Sequence, residues 1–178
     1  MVRYVHHQLA TIVEVGIAIA ISAPVVLAVR GLPYIDSRIV LPPLLAVLGA
    51  STLFGLMEVS TRSRWLTGEK GDFEGAVPLA DPEAMVPASR ESMRRSFAGP
   101  FVVFVALTSL AFGLFWGPWA VGWGLYFVPE RLVKAVYVFF WERRHGVLLW
   151  CGKVDEQPLG KGQFLYSSPR SAMPGRVH

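Results

Sequence analysis

The sequence predicts an all-α integral membrane protein, with about four transmembrane helices in two antiparallel hairpins, a polar loop between them and a mostly irregular C-terminal tail. Three observations predict it. Hydrophobic residues make up 53% of the chain and charged residues only 17%, where the wet surface of a soluble domain calls for about 25% charged. The charges are segregated, so that long runs carry almost none. Lys and Arg also gather in the segments that an even number of crossings would place on one face of a bilayer.

Residues 1–8 form an N-terminal flank and residues 9–59 the first hairpin. Its first span, Leu9 to Val29, is interrupted only by Thr11, Glu14 and Ser22, and about 20 mainly apolar residues suffice to cross the hydrocarbon. It is too long, and its start too weakly basic, for a cleaved signal peptide. It ends at Arg30-Gly31, and Pro33 forbids continuation. The second span, about Ile39 to Val59, takes Pro42 and Pro43 in its first turn, where a missing N–H matters least. Gly49, Ala50, Ser51 and Gly55 give it a small-residue surface that another helix can approach closely. The short link from Gly31 to Arg38 makes the two spans antiparallel.

Residues 60–96 are a polar loop. Six basic and six acidic residues crowd into it, and Gly68, Gly71, Gly75, Pro78, Pro82 and Pro87 keep its elements short. Asp81-Pro82-Glu83 reads as a cap with proline at the first helical position, and Ser89 as the cap of a second short helix.

The second hairpin occupies residues 97–145. Phe97 to Val128 is almost wholly apolar; as one helix it would run about 48 Å, well beyond the roughly 30 Å of hydrocarbon. A turn at Trp116-Gly117-Pro118-Trp119 divides it into a third span, Phe97 to Phe115, and a fourth, Trp119 to Trp141, broken near Pro129. Four crossings place 15 of the 17 Lys and Arg on the face that holds both termini, whereas three split them 7 against 10; the positive-inside rule prefers the former. The fourth span carries an intramembrane charge stripe of Glu130, Arg131 and Lys134, at about 2.5–3.5 kcal/mol for each central charge. Glu130 and Lys134 are four apart in the favourable order. Such a stripe must face protein, a polar cavity or headgroups. The competing reading is an amphipathic helix from Pro129 to His145 lying in the interface.

Residues 146–178 form an extramembrane tail. Val147 to Trp150 and Gln163 to Tyr166 are expected to pair as short strands. The polar run after Tyr166 has too little apolar surface to offset its ordering entropy alone.

Candidate chemistry is sparse. His6 and His7, with Glu14 on the same helix face as His7, are the nearest approach to a metal or quinone ligand set, and a weak one; no metal and no cofactor are expected. Glu14, Glu58 and Glu130 lie within or at the edge of spans, where acids serve proton relays; Glu58 reads as a solvated helix end. Arg143 and Arg144 beside Trp141 read as lipid headgroup anchors. The single Cys151 excludes an intramolecular disulfide and any cysteine-rich metal site. The net charge of +4 comes without a basic stripe interleaved with aromatics, so nucleic acid is not an expected partner. No phosphate loop, nucleophile elbow, His-Glu-x-x-His or dinucleotide fingerprint is present.

A polar tail that cannot fold alone, on a chain with no assembled acid, base and ligand set, points to a non-catalytic accessory subunit of a large membrane complex of respiratory-chain or ATP-synthase type. Its expected work is helix packing, lipid holding and assembly in an inner membrane, mitochondrial or bacterial. Its partners are other membrane subunits and anionic headgroups, with both termini on the positive-inside face. A homo-oligomeric transporter or proton channel using the broken fourth span is the alternative, and a membrane enzyme the third.

Overall fold

The long apolar runs of this chain form its long helices even where proline falls inside them, at Pro24, Pro42 and Pro43, and three of the long helices stop at a glycine, Gly31, Gly117 or Gly146. A computed structural model describes residues 1–32, 37–61, 69–155 and 157–170. Strand β1 (Val2–Arg3) leads into α1 (Tyr4–Arg30), and α2 covers Ser37–Ser60. The loop contains α3 (Lys70–Glu74), β2 (Val77–Pro78), α4 (Pro82–Met85) and α5 (Ser89–Arg95). Then come α6 (Gly99–Trp116), a 3-10 segment (Pro118–Tyr126), α7 (Phe127–His145), β3 (Val147–Cys151) and β4 (Leu165–Pro169). Three of the described helices are long and apolar enough to cross a membrane: α1, the Leu41–Ser60 part of α2, and α6.

The chain divides into two units: Met1–Ala10, Leu56–Phe97 and Val133–His178 form one, and Thr11–Gly55 with Ala98–Leu132 form the other. The second, apolar unit is held by close backbone approach. A Cβ on Gly113 of α6 would lie 2.7 Å from a Val26 methyl of α1, and one on Gly124 would lie 3.1 Å from Val105. A Cβ on Gly55 of α2 would lie 3.0 Å from the Glu130 Cα, and Ser51 Oγ donates to the Tyr126 carbonyl at 2.5 Å. Two of the four small residues of α2 thus serve as expected, while Gly49 and Ala50 are open to the outside. At the ends of α1 and α6, the Arg30 guanidinium donates to the Leu114 carbonyl, with Nε at 2.9 Å. Phe101, Phe104, Phe112, Trp116, Trp123 and Phe127 stack edge-on or tilted around the 3-10 segment.

The other unit is built on a four-stranded sheet of order β1-β3-β4-β2. β3 and β4 pair antiparallel over five residues, Val147 opposite Pro169 through Cys151 opposite Leu165. β1 adds antiparallel to β3 with Arg3 opposite Trp150, and β2 adds parallel to β4 with Val77 opposite Tyr166. Strand alternation sends Leu149 and Leu165 into a core with Tyr4, Val5, Val59, Phe73, Ala135 and Val138. It sends Leu148, Trp150 and Tyr166 to the opposite face, against Leu79 and Val86. Both faces are therefore covered, and the buried Trp150 donates from Nε1 to Ser168 Oγ at 2.9 Å.

The expected pairing of the tail is present, each strand one residue longer than its sequence signal and β4 displaced two to three residues towards the C-terminus, so the fold is mainly helical with a small sheet rather than all-α. The apolar run Val-Leu-Leu-Trp-Cys at 147–151 outweighs the tail's polarity once β1 and β4 flank it. Gly31, at φ +80°, donates its N–H to the Leu27 carbonyl and closes α1 where expected. Two expectations need correction. Pro42 and Pro43 lie in the second turn of α2, because the helix begins at Ser37. Ser89 is the first helical residue of α5, behind an Ala88 cap. The turn expected at Gly117 is present (φ +119°), and the discontinuity expected near Pro129 is a change from 3-10 to α-helix at Tyr126–Phe127; Pro129 itself sits in the first turn of α7, where its missing N–H costs nothing. The end of the tail, residues 171–178, and the link residues 33–36 lie outside the described residues.

The Gly113 contact gives a test. Gly113→Leu is expected to force α1 and α6 apart and lower stability by about 1–3 kcal/mol, whereas Gly16→Leu, at a site with nothing within 4 Å, is expected to be near neutral. Thermal unfolding of both variants in one detergent measures the difference; equal midpoints would show that this helix contact is not close-packed.

Candidate functional site

The chemistry-bearing side chains converge on α7. Its Lys134 ammonium, 3% exposed, lies 2.6 Å from Glu58 Oε2 at the end of α2 and 3.1 Å from Glu69 Oε1 just before α3. Tyr4 of α1 donates its hydroxyl to Glu69 Oε2. A lone ammonium at this depth would suffer a desolvation penalty of several kcal/mol; here two carboxylates neutralise it and a phenol helps to neutralise them. Two turns further on, Glu142 of α7 pairs with the Arg3 guanidinium of β1 and accepts the Leu149 N–H of β3 at 2.9 Å. One carboxylate thus ties the first strand, the last long helix and the central strand of the sheet.

Lys134, Val138 and Glu142 are four apart and share one face of α7, all buried. The opposite face carries Val136, Phe139 and Phe140, all exposed. This part of α7 is inside out relative to a helix on a soluble domain, where charge faces water and the apolar stripe faces the core.

The boundary between the two units falls inside the stripe of Glu130, Arg131 and Lys134. Lys134 belongs to the sheet-bearing unit and its carboxylate partners; Glu130 and Arg131 belong to the apolar unit, where an Arg131 nitrogen lies 3.9 Å from the Glu130 carboxylate. The weak ligand candidates also go separate ways. His6 Nδ1 lies 3.1 Å from the hydroxyl of the buried Ser92, which also accepts the Arg3 N–H at 2.7 Å. Glu14 accepts the Ala98 N–H at the start of α6, where the helix dipole favours a negative charge. His7 is half-buried. Among the described residues, no group of three or more His, Cys, Asp or Glu is placed to hold a metal ion.

The expected headgroup anchors divide as well. Arg143 lies over the Phe139 ring, 5.3 Å from its centroid. Arg144 and Trp141, with Tyr137, Phe140 and His145 of α7 and Lys70 and Glu74 of α3, line a cleft of about 370 Å³. His145 stacks on Trp141 with centroids 4.1 Å apart and bonds the Trp141 carbonyl through Nδ1 at 2.8 Å.

Sequence reasoning missed Arg3, Tyr4, Glu69 and Glu142 as members of this cluster and took Glu58 for a solvated end. The spacing of Lys134 and Glu142, eight apart on one helix face, is the one local signal that could have paired them. Cys151, at the end of β3, is kept neutral: burial first, then the Glu69 carboxylate, push its thiol up to about 12. The chain matches no protein-family model, and comparison with curated proteins and with solved structures finds no similar protein.

Two outcomes are expected. Lys134→Met removes the cation between the buried Glu58 and the half-buried Glu69 carboxylates and costs about 3–5 kcal/mol, most of it recovered when Glu58→Gln and Glu69→Gln are added; denaturant midpoints of the single and triple variants decide it. Cys151 resists alkylation at pH 8, where about one thiol in ten thousand is thiolate for a group at about 12. Its rate in the folded protein rises about tenfold per pH unit from there and jumps on unfolding; rapid labelling of the folded chain at pH 8 would contradict the buried, neutral thiol.

Proposed function

We propose that the chain crosses an inner membrane four times, with both termini inside, and works as a non-catalytic packing subunit of a larger membrane assembly. Three helices meet the length and hydropathy needed to cross. Support for a fourth crossing comes from the sheet. It joins residues 2–3, 77–78, 147–151 and 165–169, and strands that hydrogen-bond to one another lie on one side of a membrane. Between Arg3 and Val77 the chain passes through α1 and α2, an even number. Between Pro78 and Val147 it passes through α6, which on this reading calls for one return leg.

Lengths support that leg. α6 has 18 residues, about 27 Å. The 3-10 segment of nine residues rises about 18 Å, and residues 127–132 add about 9 Å, which matches α6. The leg carries no charge before Glu130, so Glu130 and Arg131 fall at headgroup level rather than at the bilayer centre. On this topology the sheet-bearing unit, rich in Lys and Arg, is the positive-inside domain.

The observation that carries the packing role is the fate of the buried charges. Lys134, Glu58, Glu69, Arg3, Glu142 and Glu14 are engaged in ties between this chain's own elements, which suits a rigid spacer and leaves a relay little to move. Along α2, residues 41–47 are all exposed; seven consecutive residues face every direction around a helix, so the described residues do not enclose this stretch, which suits contact with partner subunits or lipid. A transporter is the second reading. The 3-10 break favours it, together with Ser109 Oγ and Trp123 Nε1, which are buried in the apolar unit without a hydrogen-bond partner among the described residues.

With Cys151 replaced by serine, cysteines at Glu91 and Lys161 are expected to react with a membrane-impermeant maleimide from one side, and a cysteine at Leu32 from the other; Glu91 and Lys161 on opposite sides would end the four-crossing topology. In mild detergent the chain is expected to co-migrate with a larger complex. A stable monomer that restores ion flux to vesicles, with flux lost on Trp123→Phe, would replace the packing role by transport.

A further inference from the structure

The cleft between α3 and α7 has a composition that neither helix packing nor the buried ion pairs explain. We infer that it is a binding site for the headgroup phosphodiester of a membrane phospholipid; this rests on the proposed membrane embedding and adds a named ligand to it. Lys70 and Glu74 are four apart on α3 and face the α7 residues Tyr137, Phe140, Trp141, Arg144 and His145 across about 370 Å³. That volume sits at the lower end of the range for small-molecule sites, roughly 300–1,000 Å³. The lining carries two full cations against one carboxylate, so its net charge is near +1 with His145 neutral. A single phosphodiester of charge −1 complements it. The Arg144 guanidinium offers the planar fork that phosphate oxygens accept in pairs, and the Lys70 ammonium a second donor.

The apolar side of the ligand is provided for as well. Val136, Phe140 and Arg144 are four apart and align along one face of α7, two exposed apolar residues leading to a cation at the helix end. Trp141 and Tyr137 flank them, residue types that occupy the headgroup level of bilayers. An acyl chain along Val136 and Phe140 with its phosphate at Arg144 satisfies both halves of the cleft. It also gives the inside-out face of α7 an apolar neighbour. Arg143, engaged over Phe139, is no part of the site.

Native mass spectrometry of the detergent-purified full chain, titrated with phosphatidylglycerol, with phosphatidylcholine and separately with inorganic phosphate, tests the site. Phosphatidylglycerol adducts are expected on the wild type. They should fall about tenfold in K70Q/R144Q, the loss expected for charge-assisted hydrogen bonds, and stay unchanged in the control K153Q/K161Q, which removes the same charge from exposed positions. F140Q, at a 62% exposed residue, should weaken phosphatidylglycerol binding and leave any phosphate binding unchanged. Equal adducts in K70Q/R144Q and the control, or equal loss in both, overturns the site, as does wild-type retention in F140Q should the double variant fail to fold. Inorganic phosphate displacing the lipid completely at equal concentration overturns the lipid assignment in favour of a free anion. Carbonate extraction of the same variants separates the two levels of the argument: a chain that stays in the membrane pellet without lipid selectivity loses only this site, and one released to the supernatant loses the membrane embedding too.

Discussion

Lys134 between Glu58 and Glu69 is the contact on which the arrangement of the sheet-bearing unit depends. Three parts of the chain that also share a hydrophobic core are drawn to one ammonium: the end of α2, the start of α3 and the middle of α7. Desolvation makes the contact selective. A buried ion pair gains little net energy over an apolar substitute, but removing one member leaves a buried charge without compensation, so alternative packings that separate these residues are penalised heavily. Tyr4 extends the network to α1, and the T-shaped contact of Tyr4 with Phe73, 5.5 Å between centroids, seals its apolar side.

Turning the charged face of α7 inward leaves its outer face to Val136, Phe139 and Phe140. The inversion also explains how α7 supports a sheet at its end. Glu142 is close enough to β1 and β3 to take the Arg3 guanidinium and the Leu149 N–H together, which fixes where β1 adds to the edge of β3. The sheet then needs only local chemistry: strand alternation for its two cores, and Gln157 to bind β2 to the β3–β4 connection, its side chain bonding the Pro78 carbonyl at 2.8 Å and the Ala80 N–H at 3.0 Å.

What was legible in the sequence follows the range of the forces involved. The ends of α1 and α6, the turn at Gly117, the short helices of the loop and the pairing of β3 with β4 all rest on residues within a few positions of one another, and each left a local mark in glycine, proline or hydrophobic period. The ion network did not. Lys134 and Glu58 are 76 positions apart and Arg3 and Glu142 are 139 apart, and a charge in a sequence looks the same whether its partner is water or a residue across the fold. The stripe at 130–134 was read as a unit because its members are neighbours on a helix, yet packing assigns Lys134 to one unit and Glu130 to the other. Of the residues that line the cleft between α3 and α7, Arg144 and Trp141 stood out from position alone, while Lys70 and Glu74 came to it only through the fold.

On the proposed four-crossing topology, the two readings of residues 118–145, a fourth span and an interfacial helix, divide the segment between them. Residues 118–132 have the length and the lack of early charge that a crossing needs, and a 3-10 path covers about 2.0 Å per residue against about 1.5 Å for an α-helix. The tighter helix lets fifteen residues cover the distance that takes eighteen in α6. Residues 133–145 have the opposed charged and apolar faces of an interfacial helix, with protein supplying the polar side in place of water. A medium of low dielectric outside α7 would strengthen the buried pairs on its inner face, because Coulomb attraction grows as the surrounding polarisability falls. The same surroundings that accept Phe139 and Phe140 on one side thus favour Lys134 and Glu142 staying paired on the other.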